Sequence, residues 1–409
     1  MIAMAFNVLG RSAAAGSRGR RLRRLPIVAL TLVVAAQTSA CAGSGEAKPA
    51  AGSAKAPALG ALGANFNQNL DAVDYRELNE AGVKWLRGFF PMPAADQGAP
   101  GKNVAIRTIL DASKRGHGTI LSLKFPYNKT SFPKAGSPQM KAELARVDKV
   151  LPLVLGKVDI VAIGNEPFIE SKAGERDKRL NAFYETVAKH VIDVRRKRCG
   201  ANCKTSLYMG ALNHIDQPSQ RTPAVERWMA FVRKTPAIRG VDIHPHVAAP
   251  QNAKAYVNYI LPRMRKDQRF LVTEFSLTPF WRKHMTDVAP ASFTKKYGFA
   301  KGTKVWQVIK AAINKPFTER KWADFLAASP WFANNASFLR DQMRLYRGTG
   351  RLAVATYAFK QDDLMVKNWG PKKDPWLINS VYARYTVQSR GQLSGRSPWF
   401  RDFKALQAH

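Results

Sequence analysis

The chain of 409 residues is 45% hydrophobic with 24 prolines spread along it, which excludes a disordered or collagen-like protein and suffices for one large core. Lys and Arg number 65 against 29 Asp and Glu, a formal net charge of +36. Two readings of that excess stay open: an anionic target such as a uronic-acid polysaccharide, or a solvated basic surface suited to its surroundings. The cations are dispersed through nearly every segment, with Arg195-Arg196-Lys197-Arg198 the densest run, and no nucleic-acid reader motif appears.

Residues 1–40 read as a secretory signal: Arg11, Arg18, Arg20, Arg21, Arg23 and Arg24 precede an apolar run over 25–36 that ends in small residues. Cys41 is read as a lipid anchor in preference to an ordinary Ala40-Cys41-Ala42 cleavage site, although Thr38 stands where a lipoprotein box carries a large aliphatic residue. Residues 41–58, rich in Ala, Gly, Ser, Lys and Pro, are expected to form a flexible tether. The protein is therefore expected outside the cytoplasm, periplasmic or on the cell surface, touching a membrane only through Cys41.

From residue 60 onward, short β-type runs alternate with longer amphipathic stretches, the rhythm of a parallel α/β protein. Strands are predicted at 63–67, 83–87, 119–124, 158–163, 205–210, 240–244, 269–274 and 352–359. Helices are expected at 74–81, 104–115, 138–155, 179–198, 224–234 and 256–265. Eight strand-helix units in order is the count of a closed (β/α)8 TIM barrel, so 59–409 is read as one domain. The stretch from 277 to 350 is too long for one helix and holds Trp281, Trp306, Trp322 and Trp331. It is read as a folded insertion between strands seven and eight, beside the barrel mouth. In an exported chain Cys199 and Cys203 are expected to pair, since no further His or Cys at matching spacing completes a metal site.

Two glutamates stand where such a barrel keeps its chemistry, at the C-terminal ends of strands: Glu166 in Gly164-Asn165-Glu166-Pro167 and Glu274 in Thr273-Glu274-Phe275. Glycoside hydrolysis needs such a pair, one carboxyl protonated to help the leaving group and one ionised to attack the anomeric carbon. On these motifs the chain resembles the large clan of retaining (β/α)8 glycoside hydrolases that includes cellulases, mannanases and β-xylosidases, over about residues 60–385. The resemblance implies Glu166 as acid/base, Glu274 as nucleophile, Asn165 on the sugar 2-hydroxyl and Arg87 supporting Glu274. His244-Pro245-His246 matches the clan's strand-six His-Pro-Tyr, with His246 replacing the tyrosine that contacts the nucleophile. The tryptophan platform of strand eight is also missing from Tyr357-Ala358-Phe359-Lys360-Gln361-Asp362.

Further mouth candidates are Asn65 and Asn67, Lys124 and Tyr127, Asn213 and His214, and Tyr357, Lys360, Gln361 and Asp363, of which Lys124 and Lys360 would contact a uronate or phosphate. Trp85 and Trp281 read as core or lid. Arg87 should keep Glu274 ionised, while partial burial beside a charged partner should raise Glu166 into the range of a general acid. The expected activity is retaining cleavage of a β-linked polysaccharide or oligosaccharide, neutral or acidic, with no metal or cofactor. A non-catalytic barrel that binds an anionic glycan and a transglycosylase are the alternatives.

Overall fold

The computed structural model describes residues 59–408; the expected signal, tether and Cys41 anchor lie outside the described residues. Eight parallel strands close in chain order: β1 (Ala61–Asn65), β2 (Trp85–Pro91), β3 (Gly118–Lys124), β4 (Ile160–Ile163), β5 (Ser206–Asn213), β6 (Ile238–His244), β7 (Arg269–Val272) and β8 (Leu352–Ala358). The ring shuts through β1 and β8, in register from Ala61 opposite Val354 to Asn65 opposite Ala358. The predicted (β/α)8 barrel is thus observed.

Helices α1 (Tyr75–Glu80), α2 (Val104–Lys114), α3 (Pro138–Val154), α4 (Lys178–Cys199), α5 (Pro223–Lys234) and α6 (Ala253–Ile260) return the chain between strands one and seven. Their starts follow local chemistry. Asn103, Ser137, Asp177 and Thr222 each accept a hydrogen bond from a free first-turn N–H, and Pro138 and Pro223 occupy first-turn positions where no N–H is needed. Between β7 and β8 lie α7 (Thr278–Lys283), α8 (Ala291–Tyr297), α9 (Val305–Asn314), α10 (Glu319–Ala328), α11 (Pro330–Ala333) and α12 (Phe338–Gly348). Tyr346 of α12 packs edge-on against Phe270 and Phe275, so α12 acts as a barrel helix and the added body is shorter than the whole 277–350 stretch. After β8 come α13 (Asp363–Val366) and α14 (Trp399–Ala405).

Alternation along the strands sorts the barrel interior into levels. At the N-terminal end Trp85, Ile120, Ile160, Tyr208, Leu271 and Val354 fill an apolar plug. Two residues further along each strand the plug gives way to buried Arg87, Ser122, Asp242, Thr273 and Thr356. Above them the inward positions belong to the mouth. Cys199 and Cys203 form the expected disulfide, closing the turn between α4 and β5.

Two boundaries differ usefully from expectation. β7 stops at Val272, which leaves Glu274 two residues beyond the ladder, free to lean into the mouth. β5 runs on to Asn213, with a register shift between Met209 and Leu212. A Cβ on Gly210 would lie 2.7 Å from the Gly164 carbonyl carbon, so only glycine lets the turn carrying Asn165 and Glu166 sit against β5.

Candidate active site

Gly164, at φ +99°, turns the chain out of β4, and the Asn165 carbonyl then accepts a 2.9 Å hydrogen bond from Ala211 N–H. Glu166 is carried over the mouth, where Asn213 Nδ2 donates to its Oε1 at 2.7 Å and His244 Nδ1 lies 3.0 Å from the same oxygen. Across the mouth, Arg87 Nη1 donates to Glu274 Oε1 at 2.7 Å and His246 Nε2 stands 3.6 Å from Glu274 Oε2. One donor atom from each of Glu166, His244, His246 and Glu274 falls within 4.8 Å of the others. The two glutamate side chains remain 19% and 14% exposed, open to whatever enters.

Arg87 is fully buried and organises the Glu274 side of the mouth. Its Nη1 also donates to Asn67 at 2.8 Å and Asn65 at 3.0 Å, and its Nη2 reaches Ser122 at 3.3 Å and the Asn165 side-chain oxygen. One guanidinium therefore ties strands one to four to Glu274. Asn165 is held from its other end as well: Nδ2 donates to Glu170 Oε1 at 2.7 Å, and Lys124 Nζ donates to that oxygen at 2.6 Å.

The proton distribution departs from expectation at Glu166. Burial works most strongly to raise its pKa and the Glu274 charge adds to that, but the hydrogen bond with His244 and the charges of His244 and His246 together bring the carboxyl below its ordinary value. Glu274 is held well below the usual range: burial opposes ionisation, and the charges of His244 and Arg87 overcome it. His244 carries the proton. Burial alone would strip it, yet Glu274 and Asp242 push its pKa up to about 10. Three carboxylates converge on this one imidazole, with Nε2 2.8 Å from Thr273 Oγ1 and 3.4 Å from Asp242 Oδ2.

Two imidazoles and two carboxylates so close together could also hold a divalent cation, each ring being braced at its second nitrogen, His246 by Ser276 at 2.9 Å. The Arg87 guanidinium on Glu274 and the charge on His244 oppose that use of the site.

Among the weaker candidates, Asn65, Asn67, Asn213 and Lys124 join the site through the contacts above. Four others do not serve the mouth. Tyr357 is fully buried outside the barrel against Phe275 and Trp399, because it alternates with the inward-facing Thr356 and Ala358. Lys360 pairs with buried Glu77 at 2.8 Å and is 10% exposed. Gln361 is buried in bonds to Leu377 and Thr386, and Tyr127 donates to Glu143 at 2.5 Å. Trp85 belongs to the interior plug, and Trp281 is core, packed on Phe332 and Trp399. Sequence reasoning missed Trp376, whose ring meets His246 edge-on at 4.9 Å, partly exposed at the mouth. It also missed Asp242, Thr273, Ser276 and Glu170. Asp242 and His244 share the inward parity of β6, a signal that was present; Trp376 opens a short 3-10 turn (Trp376–Asn379) beyond β8 and leaves none.

No protein-family model matches the chain, and no curated protein matches it. Among solved structures the chain is similar to xylanase B from Clostridium stercorarium F9, at 13% identity over 83% of this chain and 95% of that one, with a TM-score of 0.49. It is also similar to the Pseudomonas stutzeri endoglucanase Cel5A, at 13% identity, 86% and 93% coverage and a TM-score of 0.43. The Ignisphaera aggregans GH53 catalytic domain matches at 14% identity, 85% and 92% coverage and a TM-score of 0.43. The fold itself rests on the strand order of the closed barrel.

Proposed function

We propose that the protein is a retaining glycosidase acting on a β-linked polysaccharide or oligosaccharide. The observation that carries this reading is the close approach of Glu166 and Glu274, with a carboxylate oxygen of each within 4.8 Å of the other, and Arg87 bonded to Glu274. Retention uses carboxyl groups about 5–5.5 Å apart, whereas inversion separates them by roughly 6.5–9.5 Å to admit a water.

Glu274, ionised and fixed by Arg87, attacks the anomeric carbon as Glu166 gives a proton to the departing glycosidic oxygen. The C–O bond breaks, and a glycosyl ester forms on Glu274. Neutralising Glu274 removes one of the charges that hold the His244 proton in place. Glu166, now a carboxylate, takes a proton from water as the hydroxyl attacks the anomeric carbon, and the bond from that carbon to Glu274 breaks to release the carboxylate. In the resting site the Glu166 proton resides on His244, so the acid step draws on the shared Nδ1···Oε1 hydrogen bond. Trp376 supplies the apolar face for the sugar ring that strand eight itself lacks.

Lys124 and Lys360, the lysines expected to greet an acidic sugar, are each neutralised by a glutamate. A neutral sugar at the cleavage point fits this arrangement. With residues 1–40 as an export signal, the reaction takes place outside the cytoplasm on an envelope or environmental glycan. The test is to follow new reducing ends from a panel of neutral and acidic polysaccharides, and the anomeric configuration of the first product by NMR. Retention with wild type and loss of at least about a thousandfold in both Glu166→Gln and Glu274→Gln supports the reading. Inversion, or full activity in either variant, rejects it.

A further inference from the structure

Part of the positive charge dispersed in the sequence gathers on the barrel face opposite the mouth. In a (β/α)8 barrel the helix C-termini and strand N-termini share one end. Helix dipoles at that end favour one cation or so in each last turn, and α2 and α5 follow that pattern with Lys114 and with Arg233 and Lys234. α4 goes beyond it with Arg196, Lys197 and Arg198. Past the helices, the turns into β2 and β4 add Lys84 and Lys157, and the first residues of β6 and β7 add Arg239 and Arg269.

The carboxylates of this face do not offset them. Asp111, Asp159, Asp193 and Asp267 pair with Arg115, Lys204, Arg196 and Arg265. Among the described residues no carboxylate comes within ion-pair distance of Lys84, Lys157, Arg195, Arg198, Arg239 or Arg269. Between Arg195 and Arg239 lies a recess of about 370 Å³, lined also by Asn202 and Cys203. Arg195 is fixed there by donating to the Thr205 and Cys203 carbonyls at 2.7 and 2.9 Å, in the turn that the disulfide closes. Burial first, and then the charge of Arg239, depress the Arg195 pKa.

We propose that this face docks on an anionic phospholipid surface, headgroup phosphates taking the place of the missing carboxylates. Two observations favour a membrane over an acidic polymer. Several connections here are minimal, 115–117, 235–237 and 349–351, which makes a plate of short turns where a chain-like ligand would want a cleft. The chain also enters the barrel on this face, where Gly60 N–H donates to Ala353 and the Gly60 carbonyl accepts from Arg347. Residue 59, to which the expected tether from Cys41 leads, therefore lies on the cationic side. Docked this way, the mouth and its glutamates face away from the lipid. The proposal rests on charge and topology and stands apart from the glycosidase reading.

The experiment uses residues 42–409, which keep the whole barrel and drop both the apolar run and Cys41. Co-sedimentation is measured with phosphatidylglycerol-containing vesicles and with pure phosphatidylcholine vesicles, at low and high salt. Expected is binding to the anionic vesicles only, lost at high salt, and weakened about a hundredfold or more by the triple variant Lys157→Glu, Arg198→Glu, Arg239→Glu. A second triple, Lys301→Glu, Lys310→Glu, Lys372→Glu, removes equal charge away from this face and should weaken binding far less. Unchanged thermal midpoints show that both remain folded. Equal weakening by the two triples, no preference for anionic lipid, or tighter binding of polygalacturonate than of vesicles at the same face each overturns the proposal.

Discussion

His244 Nδ1 stands 3.0 Å from Glu166 Oε1 while its Nε2 faces Thr273 and Asp242, so one buried imidazole links the acid/base to a second carboxylate beneath the site. Deprotonation of the Glu166–His244 pair, near pH 10, should therefore set the alkaline limb of kcat/KM. In His244→Gln only Glu166 titrates, and the limb should move to lower pH by at least about one unit, with a lower plateau. A limb unchanged by the substitution would assign the shared proton elsewhere. The same shift has a stability consequence. A folded-state pKa raised from about 6.5 to about 10 adds stability that is complete below pH 6.5 and is lost as pH rises toward 10. Thermal midpoints of wild type should fall across that window more steeply than those of His244→Gln.

Trp376 meets His246 edge-on and keeps part of its surface exposed. Trp376→Ala should raise KM about two- to tenfold, the loss of roughly 0.5–1.5 kcal/mol of stacking, and leave the thermal midpoint nearly unchanged. Substrate-saturation curves on a soluble oligosaccharide check this, and an unchanged KM removes Trp376 from the sugar site.

Lys360 answers to Glu77, a carboxylate only 1% exposed whose other oxygen accepts from Ser394 N–H. Lys360→Met strands that charge in the core and should cost about 3–5 kcal/mol in chemical denaturation. Turnover by the fraction still folded should match wild type. A selective loss of activity on acidic substrates at unchanged stability would return Lys360 to the substrate.

Glu80 holds the C-terminal segment to α1 through Arg390, Arg396 and Tyr382. Burial resists its ionisation, but these donors bring its pKa down to about 2. A depressed carboxyl adds stability above its unfolded value of about 4.5, lost as pH falls toward 2. Glu80→Gln should be less stable than wild type by about 1–2 kcal/mol at pH 7, a gap that narrows through this range in urea titrations.

Barrel closure and the order of strands were legible because each strand-helix unit writes its own period and its own caps, a local property that the chain carries without reference to its partners. The glutamates could be placed for the same reason, since a residue at a strand's C-terminal end must lie at the mouth. Even the exclusion of Tyr357 follows from parity, as it alternates with Thr356 and Ala358. Tertiary structure alone decided which charges meet. Glu166 was expected to hold a raised pKa, but Glu274 and Asp242, brought together from β6 and the end of β7, move the proton to His244. Lys124 and Lys360 lost their expected roles to Glu170 and Glu77, distant in the chain and adjacent in space. Lys84, Lys157, Arg198, Arg239 and Arg269, apart in the chain, came to share one face only when the barrel set the strand starts side by side. Coulomb interactions depend on distance and burial, and neither exists until the chain has closed.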